Sequence, residues 1–181
     1  SVRGTYQVAS AKLTELPPFY LRGGYIFFQQ ETKIVARAED LDNKFSVIIG
    51  LDDFSKEKKA QASGYFLDSP SYSEDDIFAN CVEKNCLLKF EAVLELQENQ
   101  EMVLKLNINR EKDIGLTGGF VTNQIILMGV PQDQLSSSLS LKDNTSNGAK
   151  LTLTGKTITI NFEKELSLQH GSQHTFIIHT K

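Results

Sequence analysis

Leu88-Lys89-Phe90-Glu91-Ala92-Val93-Leu94-Glu95-Leu96 and, a few residues on, Met102-Val103-Leu104-Lys105-Leu106-Asn107-Ile108 decide the fold class. In both stretches an apolar residue stands at every even position and the charged residues stand between. Successive side chains of a strand point to opposite faces, so the pattern describes two strands with one face on a core and the other in water. Their phase also fixes the turn. A two-residue loop would set Leu96 against Val103 and send the two apolar sets to opposite sides of the sheet. A three-residue loop, Glu98-Asn99-Gln100, pairs Leu96 with Met102, Leu94 with Leu104 and Phe90 with Ile108, with Asn99 or Gln100 in the left-handed region.

The same arithmetic applies near the C-terminus. Leu151 and Leu153 face inward, Gly155-Lys156 turns the chain, and Ile158, Ile160 and Phe162 return on the same face. A two-residue loop opposes Leu153 to Ile158, with Gly155 supplying the positive φ of a type II′ turn. Before it, a three-residue loop ending on Gly148 would pair Leu141 with Leu153 and leave a bulge. Further strands are expected over 5–13, 24–29, 33–38, 45–51, 59–67, 119–128 and 175–178. The expected fold is therefore all-β, a single domain over 1–181, an antiparallel meander of about ten strands at the spacing of either a barrel or a two-sheet β-sandwich. The one helix candidate is short, near 73–82, where Ser73 could cap and Glu74, Asp75 and Asp76 would lie at the favourable end.

Composition removes several function classes. The 181 residues carry a net charge of −4 and no basic stripe, which argues against nucleic acid. The longest apolar run, Ile125-Ile126-Leu127-Met128, is far short of the ~20 residues of a membrane helix. The sequence starts at Ser1 with no initiating Met, which reads as a mature form after signal-peptide removal, secreted or periplasmic. Cys81 and Cys86 are the only cysteines, and in an oxidising compartment they would close one small disulfide loop. Asn144-Thr145-Ser146 matches the N-glycosylation acceptor pattern.

No set of residues amounts to a catalytic signature. The chain has no G-x-S-x-G elbow, no H-E-x-x-H and no phosphate-binding glycine loop followed by a helix. Gly115-Leu116-Thr117-Gly118-Gly119 reads as a turn or bulge. His170, His174 and His179 crowd the C-terminus, but His174 and His179 are five residues apart in a strand and point to opposite faces, so no metal site is expected. Glu39-Asp40-Leu41-Asp42-Asn43 lacks the central Gly and distal Glu of a calcium loop, and Asp52-Asp53 reads as a solvated loop. No cofactor is expected. What remains is the concentration of aromatics in the first half. Adjacent Phe27 and Phe28 put one ring on each face of their strand, so one of them packs in the core while the other meets a loop, a cavity or a partner.

Gly4-Thr5-Tyr6 at the start of the first expected strand, followed by a long loop and meandering strands, resembles the opening of lipocalin-like β-barrels, with Tyr6 where that family carries Trp. The resemblance implies a closed barrel holding a small lipophilic molecule, with Tyr6, Tyr25, Phe27, Phe45 and Phe66 as candidate ligand-binding residues. The expectation is thus a non-enzymatic binding protein for a small apolar ligand. The alternative is a secreted protein-interaction module such as an inhibitor, adhesin or host-directed factor, built on a sandwich.

Overall fold

Ten β-strands form wherever the alternation is cleanest, and they make one sheet in a computed structural model that describes residues 21–30, 44–53, 58–67, 87–97, 101–110, 119–130, 139–143, 148–169 and 171–180. They are β1 (Tyr25–Gln30), β2 (Lys44–Gly50), β3 (Lys59–Leu67), β4 (Leu87–Leu96), β5 (Glu101–Arg110), β6 (Gly119–Met128), β7 (Leu139–Asp143), β8 (Ala149–Thr154), β9 (Thr157–Gln169) and β10 (Gln173–Thr180). No helix occurs among the described residues. The expected strands 5–13 and 33–38 and the expected helix 73–82 lie outside them, as do Tyr6, Cys81, Cys86 and Asn144.

The two hairpin registers follow the phase argument. Leu96 stands opposite Met102, Leu94 opposite Leu104 and Phe90 opposite Ile108. Leu153 stands opposite Ile158, and Gly155 has φ +58° while Lys156 is not in the positive region, the combination of a type II′ turn. Leu88, Phe90, Ala92 and Leu94 are buried on β4, and Met102, Leu104, Leu106 and Ile108 on β5. Each such large side chain contributes roughly 1.5–3 kcal/mol by leaving water. Val103 points the other way and is buried as well.

The strand order differs from a meander. It runs β7-β10-β5-β4-β3-β1-β2-β6-β9-β8, and two of its pairings, β1 with β3 and β2 with β6, are parallel. The pairing of Leu141 with Leu153 does not form. Leu141 instead registers with Ile178 of β10, while Leu153 pairs within the β8–β9 hairpin. Burial of one face constrains which side of a strand looks inward but leaves its neighbour open, and β7 satisfies its backbone on β10.

The sheet curls upon itself as an open half-barrel rather than closing as an antiparallel barrel or dividing into two sheets. Phe176 on β10 and Phe162 on β9 are seven places apart in the ladder, which in a flat sheet would separate them by about 34 Å. Their ring centroids are 5.7 Å apart. The end strands β7 and β8 approach within 8 Å between Cα atoms, yet no ladder joins them. Small residues on the inner face of β3, Ala60, Ala62 and Gly64, leave room for this curvature, and a single buried cluster runs through the concave side.

One irregularity shapes the outer face. Between Thr122 and Gln124 the β6–β9 register shifts, so that Phe162-Glu163-Lys164-Glu165 stand against the single residue Asn123. The three consecutive charged residues could not alternate into the core. Buried Thr122 stabilises the bulge, its Oγ1 donating to the Gln124 carbonyl at 2.8 Å and accepting from the Gln124 amide at 3.1 Å.

Candidate functional site

The expected aromatic site separates onto the two faces of the sheet. Phe45 and Phe66 lie inward with Phe28 and Phe90: edge-on contacts join Phe28 to Phe66 at 5.3 Å, Phe28 to Phe90 at 4.7 Å and Phe45 to Phe66 at 5.0 Å between centroids. These rings pack against one another on the concave side. Tyr25 and Phe27 alternate with Ile26 and Phe28 and therefore point outward, where Tyr25 is 44% and Tyr65 52% exposed.

On that outer face the ladders align side chains into rows. One row runs Phe27, Ile48, Ile126 and Thr159 across β1, β2, β6 and β9. Beside it runs Tyr25, Gly50, Met128 and Thr157. Gly50 interrupts this second row with no side chain, and Leu21 lies over the gap: a Cβ at Gly50 would fall 2.8 Å from Leu21 Cδ2. The result is a hollow of about 660 Å³ lined by Leu21, Phe27, Gln29, Ile48, Gly50 and Met128, with Leu51 and Gly129 at its end. Its backbone is tied down by Gly24 N–H to the Gly50 carbonyl at 2.8 Å and Leu51 N–H to the Met128 carbonyl at 2.9 Å. Nearby, Asp52 Oδ1 accepts from the Gln61 amide at 2.7 Å, so this carboxylate serves the loop. Arg22 stacks over the Tyr25 ring, 5.5 Å from its centroid.

On the other side of the apolar row lies a polar one, Gln29, Ser46, Gln124, Asn161 and Lys150, across β1, β2, β6, β9 and β8. Gln124 Nε2 donates to Asn161 Oδ1 at 2.9 Å, and Ser46 Oγ donates to Gln124 Oε1 at 3.4 Å. The charges around the row are paired, Lys44 with Glu165 and Lys150 with Glu163 at 2.6 Å. The hydrogen bond to Lys150 holds the Glu163 carboxyl below its usual range, and the same bond raises Lys150.

His174 shares the inward alternation with Phe176 and Ile178, whereas His179 lies on the other side with Nδ1 3.0 Å from Glu101 Oε1. Among the described residues no three His, Cys, Asp or Glu side chains gather in a way that could hold a metal ion.

The residues missed from sequence are Leu21, Ile48, Gly50 and Met128, together with the polar row. A signal for part of them was present: Val47-Ile48-Ile49 and Ile125-Ile126-Leu127-Met128 are apolar on both faces of their strands, so an outward apolar patch was implied.

No family model matches the chain, and no curated protein matches it. Two solved structures are similar at 13% identity. One is the ER glucosidase II heterodimeric complex of a catalytic subunit with the binding domain of the regulatory subunit, TM-score 0.42, and the other a glucosidase II alpha subunit in its Glc1Man2-bound form, TM-score 0.43. Each alignment covers 89% of this chain and 17% of the other. A likeness at that level carries no argument about site or activity. No helix among the described residues is long and apolar enough to cross a membrane.

Proposed function

We propose that this chain is a non-enzymatic binding protein that takes the apolar part of a small lipophilic ligand on its outer face, above Gly50. The observation that carries the reading is the hollow of about 660 Å³, whose walls are Leu21, Phe27, Ile48 and Met128. Small-molecule sites are concavities of ~300–1,000 Å³, mostly apolar with a few polar groups, and Gln29 is the polar group here. The lipocalin resemblance placed the ligand inside a closed barrel; in the present reading the inner aromatics are core and the ligand lies outside. The proposal extends to an extracytoplasmic setting, with Cys81 and Cys86 joined as a disulfide and Asn144 available as a glycan acceptor.

Exposed Tyr25 and Tyr65 flanking Phe27 favour a second reading, a protein-interaction surface on the same face. Fluorescence titration with the neutral dye Nile red separates the two. Saturation at one site per chain, lost in Ile48→Glu, supports the ligand reading. Absence of saturation, or saturation indifferent to that substitution, overturns it and leaves the interaction surface.

A further inference from the structure

Resting on that reading, we infer that the ligand of the outer hollow carries an uncharged, hydroxyl-bearing head group, which lies on the row Gln29, Ser46, Gln124 and Asn161. Gln29 belongs to both features: it lines the hollow and opens the polar row. An amphiphile whose apolar chain lies along the hollow from the Gly50 end reaches Gln29 after about 13 Å, the rise of four strand residues, and its head then stands at the row.

The row's own hydrogen bonds leave much of its capacity unused. Gln124 Nε2 spends one hydrogen on Asn161 Oδ1, and Ser46 Oγ spends its hydrogen on Gln124 Oε1. The second Nε2 hydrogen of Gln124, both Nδ2 hydrogens of Asn161 and the amide of Gln29 have no partner among the described residues. Amides offer donors and acceptors side by side, which is what a hydroxyl requires because it does both. A carboxylate can only accept and an ammonium can only donate.

Charge points the same way. Lys44 and Lys150, the cations bordering the row, are engaged by Glu165 and Glu163. A charged head would lose water without gaining a free counter-ion, a loss that a neutral polyol avoids. Arg22 is at the opposite end of the hollow, stacked on Tyr25. An acid-headed ligand would therefore have to lie in the reverse direction.

The test compares three amphiphiles of one chain length below their micelle concentrations, n-octyl glucoside, octanoate and octylammonium, by displacement of Nile red. Octyl glucoside should bind at least about fivefold more tightly than either ion, and Gln29→Leu should remove that advantage, displacement being referred to each protein's own Nile red affinity. Equal affinities for the three, or tightest binding by octanoate, overturn the head-group inference and leave the hollow reading intact. A Gln29→Leu protein that keeps the full preference also overturns it. Failure of Nile red itself to bind removes both readings.

Discussion

Gly64 and Ile26 lie so close that a Cβ on Gly64 would fall 2.5 Å from the Ile26 carbonyl oxygen and 2.8 Å from its Cβ. β1 leans across β3 at this point, where the two run parallel and a single pair, Tyr25 and Ser63, is in register. The close approach lets Phe28 reach Phe90 on β4, beyond β3.

Gly64→Ala should accordingly destabilise the fold by about 1–3 kcal/mol, since backbone atoms must separate to admit the methyl group. Ser63→Ala, next in the chain and outward, should stay within about 0.5 kcal/mol. Urea unfolding of the two variants checks the contrast, and equal midpoints would refute the close approach.

Leu104→Asp and Lys105→Asp test the strand phase. Leu104 is fully buried, so an unpaired carboxylate there should cost several kcal/mol and leave little folded protein. Lys105 faces outward, its Nζ 3.2 Å from Glu95 Oε2, and losing this exposed pair should cost under about 1 kcal/mol. Circular dichroism melts read the difference directly.

Acid should act partly through Glu95. Hydrogen bonds from Lys105 and Lys59 lower its carboxyl below the ordinary 4.5. The folded state then binds fewer protons than the unfolded chain, so the contribution is present above pH 4.5 and is lost as pH falls through the folded value. Glu95→Gln should lower the melting temperature slightly at neutral pH and flatten its fall across that acidic window, so that the two proteins converge at low pH. An identical acid limb in wild type and variant would count against the assignment.

Ile48→Glu addresses the hollow. Ile48 is only half-buried and outward, so the variant should fold with a melting temperature close to wild type while Nile red binding is lost. Val47→Glu, one residue away and fully buried, should instead unfold the protein. A folded Ile48→Glu protein that still binds the dye would place the site elsewhere.

The hairpin of β4 and β5 was legible in the sequence because its apolar residues share a face only across a loop of odd length, and three residues is the short one. The position of β7 was not, because Leu141 is equally in phase with Leu153 and with Ile178, and alternation cannot choose between them. Open curvature was hidden for a related reason: contacts such as Phe162 on Phe176 join residues whose spacing in the chain says nothing of their approach. Of the candidate site, Phe27 was readable from its place beside Phe28. The row through Gln29, Ser46, Gln124 and Asn161 was not, since it depends on three registers and on the bulge opposite Asn123.

The strand order also governs what a ribosome releases. Among the described residues β7 pairs only with β10 and β8 only with β9, and β5 and β6 each take one of their two neighbours from the same late pair. A nascent chain that has emerged as far as β8 therefore carries four of the described strands with unmet edges and a concave face missing Ile158, Ile160, Phe162 and Phe176. Such edges invite pairing with other chains. Completion of the sheet waits on the turn at Gly171 and Ser172, after which β10 joins β5 at the far end of the ladder from β9. Folding of this sheet should be slow, as expected where most pairings are distant in sequence, and should not be complete before β10 is available to β5.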